Sequence, residues 1–99
     1  MNEQKLAGML GLAVRARQAA VGMDACRIMI RAGKCGVLLV YADTGQNTRQ
    51  KAEDLCRQTE TPLMLLPAGL IEKATGKSSM TAAIQKGSFA ERFLQLKEG

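Results

Sequence analysis

Residues 36–41, Gly-Val-Leu-Leu-Val-Tyr, contain no charge and no polar–apolar alternation. A strand with one wet face alternates, so this run belongs in the middle of a sheet covered on both faces. Residues 63–66, Leu-Met-Leu-Leu directly after Pro62, have the same character. Two buried strands in a chain of 99 residues leave room for one domain and one set of layers, with helices above and below the sheet.

The remaining periodicities supply those helices. Leu6, Met9, Leu10, Ala13 and Val14 recur at helical spacing, interrupted by Gly8 and Gly11, which weaken the helix or admit a close neighbour. Ala19–Val21 reads as a brief strand before Gly22. A second helix is expected with Asp24 as its cap, Ala25, Ile28, Met29 and Ala32 on its buried face, and Gly33 as its stop. A third is expected to be capped by Asn47 with Gln50 and buried through Ala52, Leu55 and Cys56. A short helix ends at Gly76, and residues 80–84 form the last strand. Ser88 and Glu91 form a capping box for a terminal helix buried through Phe89, Phe93 and Leu96. The expectation is an α/β fold, a three-layer α/β/α sandwich formed by residues 1–99 as a single domain. Strand order is not legible.

Composition removes most catalytic readings. There is no histidine, so neither a zinc site nor the usual base for a cysteine nucleophile is available. Cys26, Cys35 and Cys56 form no C-x-x-C pair and read as small buried hydrophobes in a reducing compartment. Gly76-Lys77-Ser78 imitates the end of a phosphate-binding loop. However, six residues separate Gly69 from Gly76 where that loop has four, and the tripeptide leads into a strand. Asp43-Thr44-Gly45 has too few glycines for a dinucleotide fingerprint, and Asp43 reads as a turn former. No enzyme activity, metal, cofactor or small-molecule substrate is expected. The apolar run from Leu6 to Val14 lacks a cleavage site, since Arg15 and Arg17 follow it, and no stretch approaches the roughly 20 residues of a membrane span. A cytoplasmic monomer is expected.

Charge points to a partner. Net charge is +5, and the chain up to Ala42 carries six basic residues against Glu3 and Asp24. Such asymmetry favours a polyanion. Tyr41, Phe89 and Phe93 are the only aromatics, too few for a single-strand stacking platform. Two loops suit folded RNA instead. Gly22-Met23-Asp24-Ala25 sets backbone donors at a helix N-terminus, with Arg27, Arg31 and Lys34 following. Gly76-Lys77-Ser78-Ser79-Met80 offers a cation, two hydroxyls and an apolar tip.

Taken in order, these segments resemble the kink-turn RNA-binding superfamily of ribosomal proteins, and in particular its small bacterial YlxQ-like members. The resemblance rests on Lys5-Leu-Ala-Gly-Met-Leu-Gly-Leu-Ala13 with Arg15-Ala-Arg17, Gly22-x-Asp24, Ile30-Arg-Ala-Gly-Lys34, Ala42-Asp43, Gln46-Asn47-Thr48, the Pro62 strand and Ile71-Glu-Lys73-Ala-Thr-Gly-Lys77. It implies a mixed, four-stranded sheet and RNA contacts from the second helix's N-terminus and from the loop before the last strand, with Lys73 nearby. Structured RNA, ribosomal RNA included, is the implied partner. Asp24 stands where ribosomal members keep a base-contacting Asn, Ala25 where they keep a Glu, Ile28 a Lys and Glu72 often a Gly. A carboxylate cannot donate the hydrogen bonds an amide donates. The alternative is a protein-interaction module on the same fold with a degraded RNA site, consistent with Met23 and Met80 as soft contacts.

Overall fold

The computed structural model describes residues 3–98; residues 1, 2 and 99 of the expected domain lie outside the described residues. The elements run α1 (Glu3–Arg15), β1 (Ala19–Val21), α2 (Met23–Arg31), β2 (Cys35–Tyr41), α3 (Gln46–Thr59), β3 (Leu63–Leu66), α4 (Leu70–Thr75), β4 (Thr81–Gln85) and α5 (Ser88–Glu98). The sheet order is β1-β4-β2-β3. β4 pairs antiparallel with both β1 and β2, while β2 and β3 are parallel, so the sheet is mixed and β2 is interior.

Alternation along β2 divides the core into two layers. Val37, Leu39 and Tyr41 point to one face, where Leu6, Leu10 and Ala13 of α1, Ile71 of α4 and Phe93 of α5 cover them. Leu38 and Val40 point to the other, against Cys26 and Ile30 of α2 and Ala52 and Cys56 of α3. The three-layer sandwich expected from the doubly apolar strands is the one observed.

Gly36 sets the start of β2. The register against β4 slips between Cys35 and Val37, so Cys35 joins the α2/α3 layer although it lies two residues from Val37. A Cβ at Gly36 would stand 2.6 Å from Ala90 Cβ and 3.0 Å from Lys86 Cα. Only glycine lets α5 lie this close to the strand.

Helix starts differ from expectation in a consistent way. Asp24 does not cap α2; Gly22, at φ 97°, holds that position without a side-chain bond, because the chain is still tied to β4 there. α3 starts at Gln46 after Gly45, one residue before the expected cap Asn47, and Gln50 bonds Asp54 instead. α5 starts at Ser88 itself, and the Glu91 N–H donates to the Gly87 carbonyl. In each case a glycine carbonyl accepts the first helical bond. α4 solves the same problem across space: the buried Tyr41 hydroxyl accepts from the N–H groups of Ile71 at 2.7 Å and Glu72 at 3.2 Å.

The buried face of α2 is also rotated from the expected one. Cys26 and Ile30 are buried with Met23 and Met29 half-buried, while Ala32 is exposed and Ile28 is 73% exposed. The stripe Met23, Cys26, Ile30 follows i, i+3, i+7 spacing and meets the thin Ala83 and Leu38 surface of the sheet. The stop at Gly33 is as expected, with the N–H of Gly33 on the Ile30 carbonyl and that of Lys34 on the Met29 carbonyl, a Schellman ending.

β3 is an edge strand. Leu38 N–H donates to the Pro62 carbonyl and Ala42 N–H to that of Leu66, so the carbonyls of the intervening odd residues point off the sheet. The Lys97 ammonium of α5 donates to one of them, Leu63 O, at 2.7 Å.

Candidate nucleic-acid interface

One end of the sandwich is built where β1 and β2 end and β4 begins. Val21 pairs with Ala82 and Val40 with Thr81. The Gly22 N–H donates to Thr81 O at 3.0 Å, and the Tyr41 N–H to Met80 O at 3.0 Å. The N-terminus of α2 and the loop 76–80 are thereby fixed side by side. Sequence spacing cannot reveal this neighbourhood, because 58 residues separate Gly22 from Thr81.

The loop is held from beneath by its own hydroxyls. Gly76, at φ 76°, ends α4 in the left-handed region. Thr75 Oγ1 donates to Ile71 O and accepts from the Lys77 N–H. Ser79 Oγ donates to Thr81 O at 3.1 Å and accepts from the Thr81 N–H at 3.3 Å. The buried Thr44 hydroxyl donates to Met80 Sδ at 2.8 Å. Lys77, Ser78 and the outer part of Met80 remain exposed above these anchors. A loop fixed before binding loses little entropy on binding.

Beside it, α2 presents Asp24, fully exposed and 3.7 Å from Arg27, then Ile28 and Arg31 toward its far end. Met23 and Ala25 are half-buried. Acidic Asp24 in the first turn suits the positive end of the helix dipole, but an anionic ligand there must approach past it. Two residues expected in the patch lie elsewhere. Lys34 precedes β2 and its carbonyl accepts from the Lys86 N–H, at the opposite end of a strand about 20 Å long. Lys73 lies on α4 facing α1, beside Gly8, Gly11 and Arg15.

Sequence reasoning missed a second part of this end. A cavity of about 380 Å³ opens between the loop and the start of α4, with Tyr41, Asp43, Gly69, Glu72, Ser78 and Met80 in its wall. Its two carboxylates accept hydrogen bonds and repel phosphate, so the cavity favours groups carrying N–H donors, such as base edges. The sequence signal was that Asp43 and Thr44 stand just past the central strand, after Ala42.

This end of the molecule offers a cation at Lys77, hydroxyl groups at Ser78 and Ser79, and the carboxylates of Asp43 and Glu72. Among the described residues no group of His, Cys, Asp and Glu is placed to hold a metal ion. Burial pushes the Cys26 and Cys56 thiols up to about 11 and raises that of Cys35, which keeps all three protonated and poorly nucleophilic. Among the described residues, no helix is long and apolar enough to cross a membrane. Arg49 and Arg57 are paired within α3 with Glu53 and Asp54, whereas Arg31, Lys34, Lys73 and Lys77 have no ion pair among the described residues.

No family model matches the chain. It is 30% identical to the RNA-binding protein YlxQ of Enterococcus faecium, over 99% of this chain and 96% of that protein. Among solved structures, a Bacillus halodurans C protein of unknown function superposes with a TM-score of 0.85 at 23% identity, over 94% of this chain and 96% of the other. A Giardia lamblia 15.5kD RNA binding protein superposes with a TM-score of 0.76 at 13% identity, over 96% and 86%. These two likenesses establish a shared fold.

Proposed function

The chain belongs to the family of the RNA-binding protein YlxQ, and on that footing we propose that it binds structured RNA through the α2 N-terminus and the loop 76–80. The observation that carries the reading is the Gly22–Thr81 hydrogen bond, which sets these two segments side by side at one end of the sheet. Gly22 lets the RNA backbone approach, the first turn of α2 offers unpaired N–H donors, and Lys77 supplies charge. Ser78 and Met80 line the adjoining cavity, where an unstacked base meets the acceptors Asp43 and Glu72. Residues 1–99 act as one domain, as a cytoplasmic monomer, with no cofactor and no catalytic step. Ribosomal RNA is the first structured RNA to examine.

The site is narrower than its sequence suggested: Gly22 to Arg27 and Gly76 to Met80 form it, Arg31 borders it, and Lys34 and Lys73 stand apart. The test is crosslinking in cells followed by sequencing of the bound RNA, then filter binding of the recovered RNA across a salt series. Affinity should fall with salt at a log–log slope of about −0.7 to −0.9 per phosphate contact. Lys77→Ala should weaken binding, while Arg92→Ala on α5 should leave it unchanged. A flat salt response, or equal effects of the two substitutions, refutes the proposed face.

A further inference from the structure

Among the described residues, three large apolar side chains are substantially exposed: Ile28, Met80 and Leu12. The first two flank the RNA end. Leu12, 54% exposed, lies in α1 on the other side of the sheet, where the RNA reading gives it no role. It forms one wall of a groove of about 430 Å³ between α1 and α4. Gly8, Gly11 and Ala74 make the floor, and Arg15 and Lys73 stand at the rim.

Gly8 is the informative residue. It is exposed in the interior of α1, has no positive φ, and a Cβ placed on it would meet nothing within 4 Å. Neither backbone conformation nor internal packing requires glycine here. Its presence weakens α1 relative to alanine. Gly11 differs, since its Cβ would touch Ala74 O at 3.5 Å where α1 rests on α4. Together they keep the floor at backbone height, as small residues do where a second helix packs closely. The rim is basic: no acidic residue lines the groove, and Arg15 and Lys73 have no ion pair among the described residues.

We propose that this groove docks an acidic amphipathic helix of a protein partner. Its apolar stripe lies over Gly8 and Gly11 against Leu12, and its flanking carboxylates meet Arg15 and Lys73. The apolar floor distinguishes such a partner from RNA, whose phosphates gain nothing from Leu12 and Ala74. The groove shares no lining residue with the cavity beside the loop 76–80, so this partner and RNA contact different residues.

The test uses the full chain and two synthetic helical peptides of about 18 residues, sharing a Leu/Ala stripe, one flanked by Glu and the other by Lys. Backbone amide shifts and fluorescence anisotropy report site and affinity. The Glu peptide should bind at least tenfold more tightly than the Lys peptide and shift Gly8, Gly11, Leu12 and Ala74. Arg15→Glu with Lys73→Glu should invert that preference. Gly8→Leu should block both peptides, and Gly8→Ala should raise the melting temperature while weakening the Glu peptide. RNA affinity should be unchanged by Gly8→Leu. Absence of groove shifts with the Glu peptide overturns the proposal. So does a structured RNA that displaces the peptide from the groove, or a change in sedimentation on Leu12→Glu, which would assign the surface to RNA or to a second copy.

Discussion

Tyr41→Phe removes one oxygen and leaves the ring, so the packing of the α1/α4/α5 layer is kept and any loss reports the hydroxyl alone. That oxygen accepts two N–H groups at the start of α4. Ile71 is fully buried, and its N–H loses its partner once the oxygen is gone. A buried donor left without a partner costs about 1–3 kcal/mol. The Glu72 bond is longer, at 3.2 Å, and its residue is exposed, so water replaces the oxygen there at little cost. The expected loss is therefore about 1–3 kcal/mol. For a domain of this size each kcal/mol lowers the melting temperature by about 4–8 °C, so Tm should fall by about 4–24 °C. Scanning calorimetry measures the fall, and hydrogen exchange should show lost protection at the Ile71 amide. RNA affinity should change little, because the Thr44–Met80 and Ser79–Thr81 bonds still anchor the loop. An unchanged Tm with undiminished protection at Ile71 would refute the idea that Tyr41 caps α4.

Gly36→Ala should destabilise by about 1–3 kcal/mol through overpacking against Ala90 and Lys86, read as a lower urea midpoint with an unchanged slope. Asp24→Asn should raise affinity for a kink-turn RNA about tenfold, the scale of one good base contact, and should hardly move Tm because Asp24 makes no cap bond; an unchanged affinity would remove Asp24 from the interface. Burial raises the Cys26 and Cys56 thiols from 9.0 to about 11, so the fold holds protons that the unfolded chain releases. Their stabilisation is full below pH 9 and is lost as pH rises through about 11, and Cys26→Ala with Cys56→Ala should flatten urea stability across that window. A slope identical to wild type would contradict the burial argument.

The layers were legible because β2 and β3 show their environment in composition: no polar side chain interrupts residues 37–40 or 63–66. The short helices were less so. In α2 the choice between a stripe through Ile28 and one through Cys26 depends on a single residue of phase, and hydropathy favours the wrong one. The caps at Asp24, Asn47 and Ser88 were misread for a related reason. Each capping side chain lies one or two residues past a glycine whose carbonyl accepts first, and propensity ranks the side chain higher. At the candidate interface, the two loops carried local signals, but their contact through Gly22 and Thr81 is a product of strand order. So is the removal of Lys34 to the opposite end. The role of Gly36 depends on α5, more than 50 residues away, and leaves no local trace.

The Lys97–Leu63 bond bears on how the molecule behaves in a concentrated solution of its own kind. A four-stranded sheet has two borders, each a row of unmet amide groups onto which a foreign strand can crystallise as the seed of a fibril. β1 is only three residues long, too short a template to hold an incoming segment. β3 is longer and entirely apolar, the more dangerous border. There the terminal helix places an ammonium on an outward carbonyl, so a strand seeking that carbonyl must first displace a charge and then accept it as a neighbour. Trimming the chain before Lys97 would leave the globule's interior intact and unlock its most adhesive border. Such a truncated protein should fold, yet gel or form fibres at concentrations the intact chain tolerates.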